Sequence, residues 1–189
     1  MGASLPDLLR ERVVVFDGGM GTELYRRNYF INACFDELCL SAPQVVAEIH
    51  RAYADAGAEV LTTNTFGANA NKLGKFGLRE RVVQINAAAV RLARENGDAA
   101  TMVAGSVGPV GETAGPDGLS PDWAVACLAE QAAALAAAGA DFLIFETLPA
   151  VRDAEFAIAA AAQIEDLPYV LSFSVNDEGE SATGESLAR

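Results

Sequence analysis

The sequence predicts an α/β fold built on a parallel sheet, and the prediction depends on the spacing of its apolar runs. These runs are continuous rather than alternating, which is typical of strands that are covered on both faces. Helical patterns lie between them, so that strand and helix alternate along the chain. The five predicted strands are 13–16, 59–63, 101–105, 141–145 and 169–173.

Four helices are predicted between these strands. The first covers 42–56, with Ser41 as N-cap, Gln44 as its capping-box partner and Gly57 as C-cap. Ser120, followed by a proline, marks the start of the third helix. An Ala-Gly-Ala triplet ends both the first and the third helix, as expected of a repeating βα unit. The remaining predicted helical ranges are 79–96, 120–139 and 150–164.

Two architectures fit this alternation, namely a doubly wound sheet and a (β/α)8 TIM-type barrel. A doubly wound nucleotide-binding domain usually carries a GxGxxG or GxxxxGK[ST] turn, whereas the glycine-rich turn here is DGGMG at 17–21. A barrel has eight strands and about 250 residues, so this chain would hold about five of the eight βα units. Polar residues at the ends of many strands indicate a barrel. Here they are Asp17, Asn64, Ser106, Glu146 and Ser174.

Length and charge limit the classes of protein that the chain can represent. With 189 residues it is predicted to form a single domain over 1–189. Its net charge of −13 argues against nucleic acid or an anionic membrane as a partner, because both would repel it. The sequence shows no membrane span, no secretory leader and only three cysteines. These features predict a cytoplasmic protein without disulfide bonds.

Two carboxylates are the first candidates for chemistry. Asp17 follows a predicted strand and precedes two glycines, and Glu146 follows another predicted strand directly. An unpaired charge at the rim of a buried sheet is costly, so both positions suggest a ligand, and together they could clamp a substrate ammonium group. The alternatives are a local turn or helix cap for Asp17 and a structural salt bridge for Glu146.

Polar residues after two further strands extend this candidate site. Asn64 and Thr65 offer amide and hydroxyl groups, with Phe66 as an apolar wall. The loop 105–113, which contains Ser106, reads as a turn whose N–H groups could hold a carboxylate. The alternatives are a polar layer that satisfies the backbone of its own loop and a tight turn without a ligand.

The sequence shows no metal site and no Ser-His-Asp triad. Its one histidine, His50, lies within the first predicted helix and is expected to be a packed residue. Cys34 and Cys39 lack a second cysteine pair, and Cys127 is expected in the core of an alanine-rich helix.

Five segments, in this order, resemble the homocysteine S-methyltransferase family, whose domain also forms the homocysteine-binding module of cobalamin-dependent methionine synthases. They are FDGGMGTEL (16–24), IHRAYADAGAEVLTTNTFGANANKLGKFGL (49–78), GSVGPVGE (105–112), GADFLIFETLP (139–149) and LSFSV (171–175). The resemblance implies a (β/α)8 barrel, of which this chain is the N-terminal part. It implies that Asp17 and Glu146 hold the amino-acid part of homocysteine. The residues it places around the same pocket are Gly18, Gly19, Asn64, Thr65, Phe66 and Ser106.

The resemblance also implies a zinc-dependent transfer of a methyl group to homocysteine, giving methionine. Zinc binds the thiol as a thiolate, which is the nucleophile. In the family three cysteines after the sixth and eighth strands hold the zinc, so they are expected beyond Arg189, and the chain by itself is expected to be inactive. Cobalamin or folate would act through other domains. The methyl donor stays open among betaine, S-methylmethionine and methylated folate acting through cobalamin.

Two other interpretations remain. The open edges of an incomplete sheet favour self-association, so the chain could be a non-catalytic binding or assembly module. An aldolase-like or phosphate-binding barrel would have a lysine at a strand end, whereas Lys72 and Lys75 both lie in the segment after TTNTFGAN.

Overall fold

The computed structural model describes residues 5–30, 32–111 and 120–186. No helix within these ranges is long and apolar enough to cross a membrane. The described helices are α1 (Leu5–Glu11), α2 (Met20–Arg26), α3 (Leu38–Ser41), α4 (Pro43–Asp55), α5 (Ala70–Gly74), α6 (Val82–Asn96), α7 (Pro121–Ala137) and α8 (Val151–Ala161), with a 3-10 turn at Arg79–Arg81. The described strands are β1 (Val60–Thr62), β2 (Met102–Val107), β3 (Phe142–Leu148) and β4 (Tyr169–Phe173).

The four strands form one parallel sheet in the order β1-β2-β3-β4. Each strand therefore pairs with the next along the chain, and helices make the crossovers. The α/β class and the parallel sheet of the sequence prediction are confirmed.

The first of the five predicted strands, 13–16, is wrong as a strand. Phe16 forms only an isolated parallel bridge with Val60. The carbonyl of Val15 accepts from the N–H groups of Glu59 and Val60. The N–H of Val15, however, donates to the Glu59 carboxylate at 3.0 Å. That side chain occupies the donor that would continue the ladder, so pairing stops after one bridge. The segment still lies beside β1, at the place of an edge strand.

The predicted N-terminus of the helix over 42–56 is also wrong in detail. Ser41 is the last residue of α3, and its hydroxyl donates to the Glu37 carboxylate at 2.6 Å. It is therefore not free to cap α4, whose N-cap is Ala42 without a side-chain hydrogen bond. By contrast, Ser120 caps α7 as predicted, because its hydroxyl accepts from the Trp123 N–H.

The repeated Ala-Gly-Ala triplets end α4 and α7 in the same way. Gly57 and Gly139 have φ of 98° and 92°, the left-handed region that favours glycine. The N–H groups of Ala58 and Ala140 reach back to the carbonyls of Tyr53 and Leu135. These are Schellman caps, which turn the chain sharply from each helix into the following strand.

In β1, β2 and β3 the side chains alternate between two largely buried faces of the sheet, whereas no residue of β4 is fully buried. Val103, Leu143 and Phe145 belong to the large cluster formed with the helices. Ala104 and Phe142 belong to a smaller cluster with Leu5 of α1 on the other, inner face. Because side chains alternate with a period of two, the inner face continues toward the strand ends as Thr62, Ser106, Ile144 and Glu146. A polar group therefore ends the inner face of three strands.

Candidate functional site

A cavity of about 740 Å³ lies at the C-terminal ends of the strands. The residues that sequence reasoning selected come from loops far apart in the chain, and all of them line this cavity. They are Asp17, Gly18, Gly19, Asn64, Thr65, Phe66, Ser106 and Glu146. Their role in binding substrate stays a prediction.

Glu146 lines the cavity next to an irregularity in β3. The register between β3 and β4 shifts between Phe145 and Leu148. Thr147, between them, has φ of 58°, which is unusual for a β-branched residue. The Ser106 hydroxyl donates to the Glu146 carboxylate at 2.5 Å. Strained backbone beside a cavity is found preferentially at functional sites, so this bulge supports a role for Glu146.

Asp17 is held by β1 rather than by a local turn. Its carboxylate accepts from the backbone N–H and from the hydroxyl of Thr62, both at 2.7 Å. Burial raises the pKa of Asp17 to about 6, and the negative charge of Glu146 adds to the increase, whereas the Thr62 hydrogen bonds oppose it. The two carboxylates are therefore close enough to influence each other.

Much of the hydrogen-bonding capacity after β1 serves the protein itself. The hydroxyls of Thr63 and Thr65 lie 2.6 Å apart, and Thr65 donates to the Ser106 carbonyl. The Asn64 amide donates to the Phe35 carbonyl at 2.7 Å. Gln131, buried in α7, donates to the carbonyls of Thr65 and Ser106. These bonds fix the ends of β1 and β2 in relation to each other.

The turns that carry glycine lie close to neighbouring groups. A Cβ atom on Gly18 would lie 2.8 Å from the Tyr53 hydroxyl oxygen. In the loop 105–113, a Cβ on Gly108 would lie 2.5 Å from the Phe66 carbonyl oxygen, to which the Gly108 N–H donates. This N–H is therefore used within the protein. Residues 112 and 113 of the loop lie outside the described residues.

Sequence reasoning missed two residues of opposite charge in the cavity wall, Asp36 and Lys72. Asp36 is half-buried, and the loss of water around its carboxyl raises the pKa, while a hydrogen bond from the Gly67 N–H acts against the increase. Lys72 also lines the cavity, and its ammonium lies 4.3 Å from the centre of the Phe66 ring. The sequence shows only that Lys72 is one of two lysines, and nothing near Asp36 marks it as a site residue. The position of each in the cavity wall depends on contacts between distant segments.

The cysteines and the histidine offer no metal site. Cys34 lines the cavity, but burial and Asp36 raise the pKa of its thiol to about 11, and Cys39 and Cys127 are buried. Over the described ranges, no three His, Cys, Asp or Glu side chains are grouped to hold a metal ion. His50 is fully buried in α4, as expected of a packed histidine. The residues present therefore do not fit the zinc site that the resemblance implies.

Comparisons with known proteins agree with this geometry. A family model described as homocysteine S-methyltransferase matches residues 14–189. A methionine synthase of Mycobacterium tuberculosis (strain ATCC 25618 / H37Rv) is 38% identical over 117 residues, which cover 56% of this chain and 10% of that protein. The chain thus spans about a tenth of the length of this relative.

Solved structures of the homocysteine methyltransferase MmuM from Escherichia coli share the fold. The oxidized form has a TM-score of 0.84 and 27% identity, covering 98% of this chain and 70% of that one. The metallated form has the same TM-score and identity, with coverages of 97% and 70%. The apo form has a TM-score of 0.73 and 26% identity, with coverages of 95% and 66%. The four parallel strands are accordingly part of a TIM-type barrel.

Proposed function

Because the chain belongs to the homocysteine S-methyltransferase family, we propose that its cavity binds homocysteine as the acceptor of a methyl group. The observation that carries this proposal is the pair of carboxylates, Asp17 and Glu146, on one cavity wall. In the described part of the chain, no lysine or arginine forms a salt bridge with either. Two carboxylates without a cationic partner suit the ammonium group of an amino acid.

In this proposal the chain binds and orients the substrate. The pKa of Asp17, about 6, leaves this carboxylate mostly ionised at pH 7, where it attracts the ammonium group. Ser106 holds the Glu146 carboxylate from one side. The homocysteine thiolate then forms a bond from sulfur to the methyl carbon, and the bond between that carbon and the donor breaks with its electron pair leaving on the donor.

Deprotonation of the thiol is assigned to none of the described residues. Among the described residues, Cys34, Cys39 and Cys127 belong to no group of three side chains that could hold a metal ion. If zinc activates the thiol, as the resemblance implies, its ligands are expected outside the described residues. We therefore propose that the described part supplies binding and orientation of homocysteine, and that it is inactive by itself.

Titration calorimetry with L-homocysteine tests the proposal. We expect Glu146→Gln and Asp17→Asn each to weaken binding about tenfold or more, because each removes a charged partner of the ammonium group. Glu130→Gln removes one negative charge from the exposed surface of α7 and is the matched control. N-acetylhomocysteine, which lacks the positive charge, should bind weakly to all forms. Unchanged affinity in both cavity variants would overturn the site assignment.

A second candidate is assembly through the sheet edges, without catalysis. Tyr169 of β4 is 43% exposed, and β4 pairs only with β3 among the described strands. An unpaired strand edge can pair with another chain. Light scattering distinguishes the two: a stable oligomer that does not bind homocysteine favours assembly, whereas a monomer that binds homocysteine favours the methyltransferase site.

A further inference from the structure

The cavity also has a cationic part, which the binding of an amino acid's ammonium group does not explain. Lys72 of α5 is half-buried in the cavity wall, with its ammonium 4.3 Å from the centre of the Phe66 ring. Its stem passes Gly111, whose position leaves room for it: a Cβ atom there would lie 3.4 Å from Lys72 Cε. The Lys72 side chain therefore lies between Gly111 and the Phe66 ring in the lining of the cavity.

No carboxylate of the described residues forms a salt bridge with Lys72. Asp36 attracts it electrostatically, but the Asp36 oxygens accept from the Gly67 N–H at 2.7 Å and from the Cys34 thiol at 3.8 Å. Burial lowers the pKa of Lys72, as expected of a cation that has lost water without gaining a close anion. An anionic ligand would satisfy this group.

We propose that Lys72 binds the oxyanion of the methyl donor, the second substrate of the same cavity. This inference rests on the proposed function. The carboxylate of homocysteine is attached to the same carbon as its ammonium group, so in the proposed binding mode it lies close to Asp17 and Glu146. The cavity volume of about 740 Å³ lies in the range of sites for ligands larger than a small amino acid. Space and a positive charge therefore remain for a second molecule.

An oxyanion is common to the donors that the family resemblance left open. Betaine and S-methylmethionine carry a carboxylate, and methylcobalamin carries a phosphodiester. A lysine ammonium binds either group as a point charge. The charge of Lys72 fits either oxyanion, and the experiment distinguishes the two carboxylate donors from methylcobalamin.

The test compares Lys72→Met with Arg152→Met in the full chain. Methionine keeps an unbranched apolar stem against Phe66 and removes the charge. Arg152 is exposed, lies over the ring of Phe156 and does not line the cavity, so its variant controls for the loss of one positive charge beside an aromatic ring. Calorimetry measures binding of betaine, S-methylmethionine and methylcobalamin in the presence of homocysteine. The carboxamides of the first two, and methylcobinamide, are the matched counterparts that lack the oxyanion.

We expect one donor to bind about tenfold more weakly to the Lys72→Met variant than to the wild type. The counterpart without the oxyanion should bind both proteins equally, and the affinity for homocysteine should be unchanged. Which donor responds identifies the carboxylate or the phosphodiester. If homocysteine binds normally and Lys72→Met does not weaken the binding of any donor relative to the wild type, the inference is wrong and the proposed function stands. Weaker binding of homocysteine in Lys72→Met would instead assign this lysine to the amino acid. Failure of the wild type to bind homocysteine would overturn both.

Discussion

Asp17 combines a fixed position in the fold with its proposed role in binding the ammonium group. Its two hydrogen bonds from Thr62 fix the carboxylate at the end of β1, while burial and the charge of Glu146 raise its pKa to about 6. A lower pKa would need more hydrogen bonds from the protein to the carboxylate. Those donors would then compete with a ligand for the same oxygen atoms. A higher pKa would leave the group neutral at pH 7.

Affinity for homocysteine should therefore fall as the pH is lowered through 6, because Asp17 takes up a proton and loses its attraction for the ammonium group. Thr62→Val removes the hydroxyl donor and leaves the backbone donor, so the pKa of Asp17 should rise by about one unit. Binding measured from pH 5 to pH 7 should show the same shift in its midpoint. Thr183→Val, which removes a hydroxyl bonded to Glu185, is the control. Identical profiles in wild type and Thr62→Val would contradict this role of Asp17.

Gly108 offers a second test at the scale of a residue. A Cβ atom there would lie 2.5 Å from the Phe66 carbonyl oxygen, and because this atom belongs to the backbone, the cavity wall itself must move. We expect Gly108→Ala to cost about 1–3 kcal/mol in free energy of unfolding and to weaken homocysteine binding. Gly74→Ala meets no atom within 4 Å, so thermal denaturation should find it neutral or stabilising. Equal effects of the two substitutions would contradict the steric argument.

The sequence allowed the members of the candidate site to be predicted better than their contacts. Asp17, Ser106 and Glu146 follow apolar runs directly, and strand ends of a parallel sheet converge on one edge, so local pattern was enough to select them. Asp36 and Gln131 were missed because their importance comes from partners about 30 and 66 residues away, Gly67 and Thr65. Nothing in the neighbouring sequence encodes such contacts.

At the scale of secondary structure, the correct predictions are again those that depend only on the local sequence, and the wrong ones are those that another side chain overrides. The triplets at 56–58 and 138–140 form Schellman caps because the rule is local: only glycine adopts the left-handed region without cost. The strand over 13–16 and the cap at Ser41 failed because side chains of Glu59 and Glu37 took the groups that the local rule had assigned.

The cap of α7 gives a prediction at this scale. Gly139→Ala should lower the free energy of unfolding by about 1 kcal/mol although a Cβ atom there would touch nothing within 4 Å, because the cost lies in the φ of 92°. Gly139→Asn should recover part of the loss, since asparagine tolerates this region better. Chemical denaturation measures both. Full stability of Gly139→Ala would show that the cap contributes nothing.

At the scale of the whole molecule, His50 links folding to pH. It is fully buried in α4, neither ring nitrogen has a hydrogen-bond partner among the described residues, and burial lowers its pKa from 6.5 to about 4. The unfolded chain binds a proton more readily than the folded one between these values. Stability from this group is therefore complete above pH 6.5 and is lost as the pH falls toward 4.

His50→Met removes this titration and keeps an apolar side chain in the core. Relative to the variant, the wild type should lose about 3 kcal/mol of unfolding free energy between pH 7 and pH 4. Urea denaturation across this range measures the difference at each pH. Parallel curves for the two proteins would show that His50 is not buried in its neutral form.

The position of the amino-acid part of homocysteine in the cavity is the most direct test of the proposed site. A crystal structure of the chain with L-homocysteine measures this. We predict the ammonium nitrogen within hydrogen-bond distance of Asp17 and Glu146, with the thiol directed into the remaining space of the cavity. A ligand bound outside the cavity, or one whose ammonium group avoids both carboxylates, would contradict the central claim that these strand-end residues form the homocysteine site.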